Sequence, residues 1–337
     1  MIAPSAAADH DPARAPSISL VLGAGGARGY AHIGVIEELL AQGYRIESIA
    51  GSSMGALIGG IYAAGKLDVY RDWVRPLQRL DVLRLLDWTF SGGGFIKGNR
   101  IIEVLRELIG EAEIGDLPIT YTAVAVDLEA HREVWFSDGP LFDAIRASIA
   151  VPGVFRPHHH GGRLLVDGGL LNPLPVAPTL RDRTDYTLAV DVNAAVESLG
   201  PAASPAAGPA TGEERSAEQV VEQLLPTTPR EQTAPAGYRE KLGSFLDSLR
   251  RHPRAAPQPG LFDLLARSLD TVQETITRLK LAAQPPDLLI TVPRNAGAFY
   301  EFHRADDLIE LGRSRTREAL ARWQPRVPDD PRAPGTE

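Results

Sequence analysis

Apolar residues recur along this chain in two rhythms, and the alternation between them outlines an α/β fold. Ile18–Leu22 is a short apolar run that ends in a glycine cluster, Gly23–Gly29. Ile33, Ile36, Leu39 and Leu40 then recur at helical spacing, which predicts an amphipathic helix with Gly43 placed to end it. Ile46–Ala50 predicts a second strand ending at Gly51, and a small-residue helix follows from about Met54 to Ala64. Strand–helix–strand–helix implies parallel pairing through right-handed crossovers.

The middle is less regular. Val69–Leu86 predicts a helix, Gly92–Gly94 a flexible turn, and Asn99–Ile109 another amphipathic helix. Tyr121–Leu128, Glu133–Phe136, Arg163–Val166 and Thr187–Val192 predict strands, with a short helix at Phe142–Ser148. From about Glu197 to Gly260 the texture changes to Ala, Pro and Gly, as in Gly200–Pro209, and such a composition predicts disorder. Short surface helices are expected within it at Ser216–Leu225 and Tyr238–Arg250. Periodicity returns with a helix over Leu261–Leu281, a strand over Leu288–Val292 and a last helix over Asp306–Trp323. The simplest organisation is one α/β domain. It has a disordered leader (1–16), a catalytic core (17–196), a low-complexity, largely disordered insertion (197–260), a helix–strand–helix segment completing the same domain (261–325) and a disordered tail (326–337).

Composition narrows the classes. With 337 residues, 44% hydrophobic and 23% charged, the chain buries a core without staples. A formal net charge of -8 argues against a dedicated nucleic-acid binder. The absence of cysteine removes disulfides, thiolate catalysis and Cys-based metal sites, and it fits a reducing compartment. Met1–Ser17 has neither the basic start nor the apolar stretch of a signal peptide. No apolar run approaches the roughly 20 residues that span a bilayer. A soluble, cytoplasmic protein without a transmembrane segment is expected.

Three stretches could carry chemistry. Gly51-Ser52-Ser53-Met54-Gly55 is a G-x-S-x-G pentapeptide between a predicted strand and helix, a turn that presents the Ser53 hydroxyl at the strand's end. Gly51 and Gly55 permit its strained backbone; the alternative is a Gly/Ser turn with no chemistry. In the helix after it, Gly55, Gly59, Gly60, Ala63 and Ala64 leave one face nearly bare. Glycine costs roughly 1 kcal/mol there against alanine, which close approach to a sheet would justify. Gly23–Gly29, opening a helix after a strand, offers backbone N–H groups to an anion. A dinucleotide loop would need glycine where Arg28 stands, so an oxyanion hole is the better reading. Val166-Asp167-Gly168-Gly169 ends a strand in a tight turn and is weak evidence alone.

A serine nucleophile needs a base, most often histidine. His32 lies in the first helix, His131 in a hairpin-like turn and His158–His160 in a loop cluster without a designed metal site. His303, before the last helix, is the one late candidate for a conventional triad.

Together the glycine loop, the serine pentapeptide and Asp-Gly-Gly resemble, in order and setting, the patatin-like phospholipases. The closest resemblance is to the bacterial branch related to the lysophospholipase domain of neuropathy target esterase. It extends through Ala144–Pro157 and Asp167–Val176, covers about Ser17–Val196, and continues loosely over Phe262–Leu320. It implies a three-layer αβα domain with a mainly parallel sheet, and a Ser–Asp dyad without histidine or cofactor. By motif position Ser53 is the nucleophile and Asp167 the base, with Gly168 and Gly169 forming the turn at the base. Gly25, Gly26 and Ala27 supply oxyanion N–H groups and Arg28 braces their loop, while Ala24 stands where three successive glycines are usual. The implied activity is hydrolysis of phospholipid or lysophospholipid acyl esters through an acyl-enzyme, with an acyl-ester lipid as partner and transient contact with a membrane surface. The alternatives are a general esterase or acyltransferase acting on non-lipid substrates, and a non-catalytic regulatory protein on the same fold. The apolar run Trp73–Phe95, with Trp88 and Phe90, reads either as a lid over the site or as a buried helix pair.

Overall fold

The computed structural model describes residues 15–85, 94–198 and 261–324. In chain order these form β1 (Ser17–Leu22), α1 (Ala31–Ala41), β2 (Arg45–Ser52), α2 (Met54–Ala63), α3 (Leu67–Val74), α4 (Arg79–Arg84) and β3 (Gly94–Ile96). There follow α5 (Asn99–Ile109), β4 (Thr120–Asp127), β5 (Arg132–Phe136), α6 (Leu141–Ser148), β6 (Gly153–Phe155), β7 (His158–His160), β8 (Arg163–Asp167) and β9 (Tyr186–Ala194). Last come α7 (Leu261–Ala283), β10 (Leu288–Pro293) and α8 (Ala305–Arg322). The chain divides into two units, Met1–Ala206 with Val272–Glu337, and Ala207–Thr271; of the second, only the start of α7 is described.

The main sheet runs β10-β9-β1-β2-β4-β8-β7, with β5 also paired to β4. Its first five strands are parallel, while β5, β8 and β7 pair antiparallel. Alternation along β1 builds three layers. Ile18, Leu20 and Leu22 join the large cluster containing α1, α2 and α8, whereas Val21 joins Leu174, Val176 and Ala189, against which Leu281 of α7 packs. The bare face of α2 does bring that helix close to the sheet. A Cβ on Gly55 would strike the Leu22 carbonyl, and one on Gly59 would lie 2.6 Å from the Ile49 side chain.

Two expectations change. The helix predicted over Val69–Leu86 is broken into α3 and α4, because Pro76 has no N–H to continue the ladder, and Asp81 accepts the Gln78 N–H to start the second piece. His158–His160 is a strand, not a loop. Gly161 and Gly162 both take positive φ, as a tight two-residue hairpin needs, and the turn pairs β7 with β8. Of the apolar run at 73–95, Trp73 and Leu77 pack on the core and Leu80 is exposed; Trp88 and Phe90 lie outside the described residues. So do the helices expected at Ser216–Leu225 and Tyr238–Arg250, and the predicted leader and tail apart from Ala15 and Pro16.

Candidate active site

Strand pairing brings the serine turn and the aspartate turn together. Ala123 of β4 pairs with both Gly51 of β2 and Phe136 of β5, so those two strands lie on opposite edges of β4. Ala125 pairs with both Val134 of β5 and Asp167 of β8, so β8 shares the edge that β2 occupies. The two strands therefore meet end to end, Ser52 opposite Val124 and Asp167 opposite Ala125.

Ser53 follows β2 and starts α2 with φ 55 and ψ −125, a strained conformation for a residue with a side chain. Its N–H donates to Ser148 Oγ at 2.9 Å, and the Ser148 hydroxyl donates to the Val124 carbonyl at 2.6 Å, tying the elbow to β4. The neighbouring Ser52 hydroxyl is committed to the Asn172 carbonyl at 2.6 Å.

Asp167 is 3% exposed and Ser53 4%, so the pair is screened from solvent. Asp167 Oδ1 accepts the Gly169 N–H at 2.7 Å, while Oδ2 is buried without a closed hydrogen bond. Burial pushes the carboxyl up from its ordinary 3.8 to about 7, against the opposing pull of the Ser53 hydroxyl and the Gly169 N–H. Such a group is a far better base near neutral pH than an aspartate in water.

In the glycine loop, Gly23 N–H goes to Val190 and Ala24 N–H to Pro173, at 3.0 and 2.8 Å. Ala27 N–H, expected as an oxyanion donor, is already given to the Phe299 carbonyl at 2.9 Å. Among the described residues the Gly25 and Gly26 N–H groups have no acceptor, which leaves these two for an anion. Arg28 is buried within the loop. It donates to the carbonyls of Arg294 and Gly297 and to Asn193 Oδ1, and Asn193 donates in turn to the Ala24 carbonyl at 2.9 Å. The first N–H groups of α2 add a partial positive charge beside Ser53.

The histidines fall elsewhere. His32 is buried, bonded through Nε2 to the Gly23 carbonyl at 2.8 Å, and burial lowers it to about 4, so it supports the loop as a neutral donor. His303 accepts from Arg79 at 3.2 Å, and His158 stacks on His160 along β7. His131 sits at positive φ in the turn between β4 and β5. Among the described residues, no group of three or more His, Asp or Glu side chains is placed to hold a metal.

Ser148, Asn172 and Asn193 escaped the sequence reading. Ser148 and Asn193 bond the backbone of the serine elbow and of the glycine loop, and Asn172 accepts the Ser52 hydroxyl through its own carbonyl; no local pattern marks such contacts. For Ser148 alone there was a hint, a hydroxyl at the apolar end of a helix beside Ile-Ala-Val-Pro.

Residues 20–180 match the family model for patatin-like phospholipase. NTE family proteins of Mycobacterium tuberculosis and Mycobacterium bovis are 40% identical over 347 residues, covering 95% of both chains. The chain belongs to the NTE group of patatin-like phospholipases. Lysophospholipase NTE1 of Debaryomyces hansenii is 25% identical over 91% of this chain, which spans 18% of that longer protein. Among solved structures, VipD from Legionella pneumophila shares the fold, with a TM-score of 0.51 at 14% identity, covering 91% of this chain and 66% of that one. Membership places the chain among lipid acyl hydrolases in general. The matched stretch of this patatin-like protein holds Ser53 and Asp167, whereas Arg294, Gly297 and Phe299, which anchor the glycine loop, lie beyond it.

Ser148→Ala is expected to leave the Ser53 N–H and the Val124 carbonyl unpaired in a buried site. The destabilisation should be about 1–3 kcal/mol, with slower labelling of Ser53 by a fluorophosphonate. A variant that melts and labels like the parent would remove Ser148 from the elbow's support.

Proposed function

We propose that this protein hydrolyses fatty-acyl esters of the phospholipase A or lysophospholipase type through a Ser53–Asp167 dyad. The observation that carries the reading is the abutment of β2 and β8 on one edge of β4, which sets the two residues together in a dry site. Asp167 takes the Ser53 proton as the hydroxyl oxygen attacks the ester carbonyl carbon. The carbonyl oxygen becomes an oxyanion, met by the Gly25 and Gly26 N–H groups. Collapse breaks the acyl C–O bond and the proton passes from Asp167 to the leaving alcohol. Water then repeats the sequence on the acyl-enzyme and frees the acid. These steps draw on this chain's own groups alone. We place the reaction in the cytoplasm, with the enzyme meeting its lipid by transient contact with a membrane surface; no helix among the described residues is long and apolar enough to cross one.

The pH profile tests the base. Asp167 must be ionised to accept the proton, and its pKa is raised to about 7. On p-nitrophenyl butanoate, kcat/KM should therefore climb about tenfold per pH unit below that value and level off above it. A flat profile from pH 5 to 8 would assign the base elsewhere, and His303→Ala would be the next variant to assay. A panel of phospholipids and lysophospholipids, run beside p-nitrophenyl esters of short and long acyl chains, separates a lipid hydrolase from a general esterase.

A further inference from the structure

The Val272–Ala283 part of α7 lies outside the matched family stretch, yet it reaches the aspartate turn. Two ion pairs fix it: Lys280 to Glu133 at 2.6 Å, and Glu274 to Arg294 at 2.9 Å. Glu133 also accepts from Trp135 Nε1 and from Asn172 Nδ2, so this anchor connects α7 with the segment that follows Asp167. Thr277 is buried on the same helix.

On this stretch Gln273 is set against the base. A Cβ placed on Gly169 would lie 2.9 Å from each of three atoms: Ala24 Cβ in the glycine loop, Asp167 Oδ1 and Gln273 Nε2. Gln273 Nε2 is thus separated from Asp167 Oδ1 by no more than twice that distance. Ser52, Ser148, Asn193 and the Asn172 side-chain nitrogen are all hydrogen-bonded, whereas Asp167 Oδ2 and Asn172 Oδ1 are buried without a hydrogen-bond partner among the described residues. The Gln273 carboxamide is half-buried and makes no hydrogen bond among the described residues. It carries two donors and an acceptor.

An oxyanion is an unsuitable partner for it, since the Asp167 carboxylate beside it would repel one. The species that must come to the Asp167 carboxyl in the proposed reaction is the leaving alcohol, and later the attacking water.

We propose that Gln273 is a substrate-contacting residue that holds the leaving oxygen toward Asp167, favouring esters whose alcohol must be protonated to depart. This rests on the dyad reading above. As the acyl C–O bond breaks, its electron pair goes to the leaving oxygen, the Gln273 N–H donates to that oxygen, and the proton held by Asp167 is delivered to it. In deacylation water occupies the same place and gives its proton to Asp167.

The test compares two esters of one acyl chain on the full-length protein. Glycerol monobutanoate leaves as an alkoxide that needs a proton; p-nitrophenyl butanoate leaves as a stable phenolate that does not. Gln273→Ala should lower kcat/KM about tenfold or more on the first and less than about twofold on the second, with fluorophosphonate labelling of Ser53 retained. Gln273→Glu sets a second carboxylate beside Asp167, so the acidic limb of the pH profile should move to higher pH. Equal losses on both esters, no loss on either, or an unmoved limb would overturn the assignment. A wild-type protein inert on both esters and unlabelled at Ser53 would instead overturn the dyad reading, and this inference with it.

Discussion

Ser53→Ala is expected to drop ester hydrolysis by a factor on the order of 10⁴ or more, to background, while the chain stays folded. No neighbouring hydroxyl can stand in. Ser52 is fully buried and its oxygen is held by the Asn172 carbonyl at 2.6 Å, while Ser148 is engaged with the Val124 carbonyl. Alanine accepts the φ of 55 no better and no worse than serine, so the elbow's strain is unchanged. The Ser53 N–H bond to Ser148 comes from the backbone and survives the substitution. Thermal melting within a degree or two of the parent, with no fluorophosphonate label and no turnover, is the expected set. Retained turnover on a lipid ester would mean that another nucleophile does the chemistry.

Asp167→Asn is expected to be equally inactive and, above neutral pH, more stable than the parent. The sign follows from where the carboxyl titrates. Folding raises its pKa from 3.8 to about 7, so the folded chain holds a proton that the unfolded chain has released over that interval. The parent's stability therefore falls as pH rises from about 4 to about 7, and the deficit is complete above it. At about 1.4 kcal/mol per unit, the ionised carboxylate costs on the order of 4 kcal/mol. Asparagine removes that charge while keeping an oxygen for the Gly169 N–H. The melting temperature should rise by several degrees at pH 8, and the gain should vanish near pH 4. A variant less stable than the parent at pH 8 would show that Asp167 is not carrying a desolvation penalty. A stability gain at pH 8 together with lost turnover would make the residue a case of stability given up for activity.

Much of this was legible in the sequence, for identifiable reasons. The strands β1, β2, β4 and β9 each carry an apolar stretch because the sheet is covered on both faces, and such stretches read clearly. The glycines of α2 were legible as a packing device because their cost needs a compensating contact. The serine elbow and the Asp167 turn were visible because each is a local backbone event with its own residue preferences. What stayed hidden is non-local. The hairpin at Gly161-Gly162 turned three histidines into a strand only once β8 was there to pair with. The commitment of Ala27 to Phe299 could not be read from the glycine loop, since the acceptor lies far along the chain, after β10. Likewise, the pairing of β2 and β8 along one edge of β4 depends on register, which the hydrophobic pattern restricts but does not name.

The bracing of the glycine loop bears on when a growing chain becomes competent. Ser53, Asp167 and the strands β2, β4 and β8 all precede in the chain the segment 294–299 that anchors the glycine loop. The carbonyls that receive Arg28, at Arg294 and Gly297, and the Phe299 carbonyl that takes the Ala27 N–H are translated after them. Until they arrive, a buried guanidinium lacks two of its acceptors and the glycine N–H groups have no fixed direction. On the dyad reading proposed above, a chain in mid-synthesis would hold its nucleophile and base without the means to stabilise a tetrahedral intermediate.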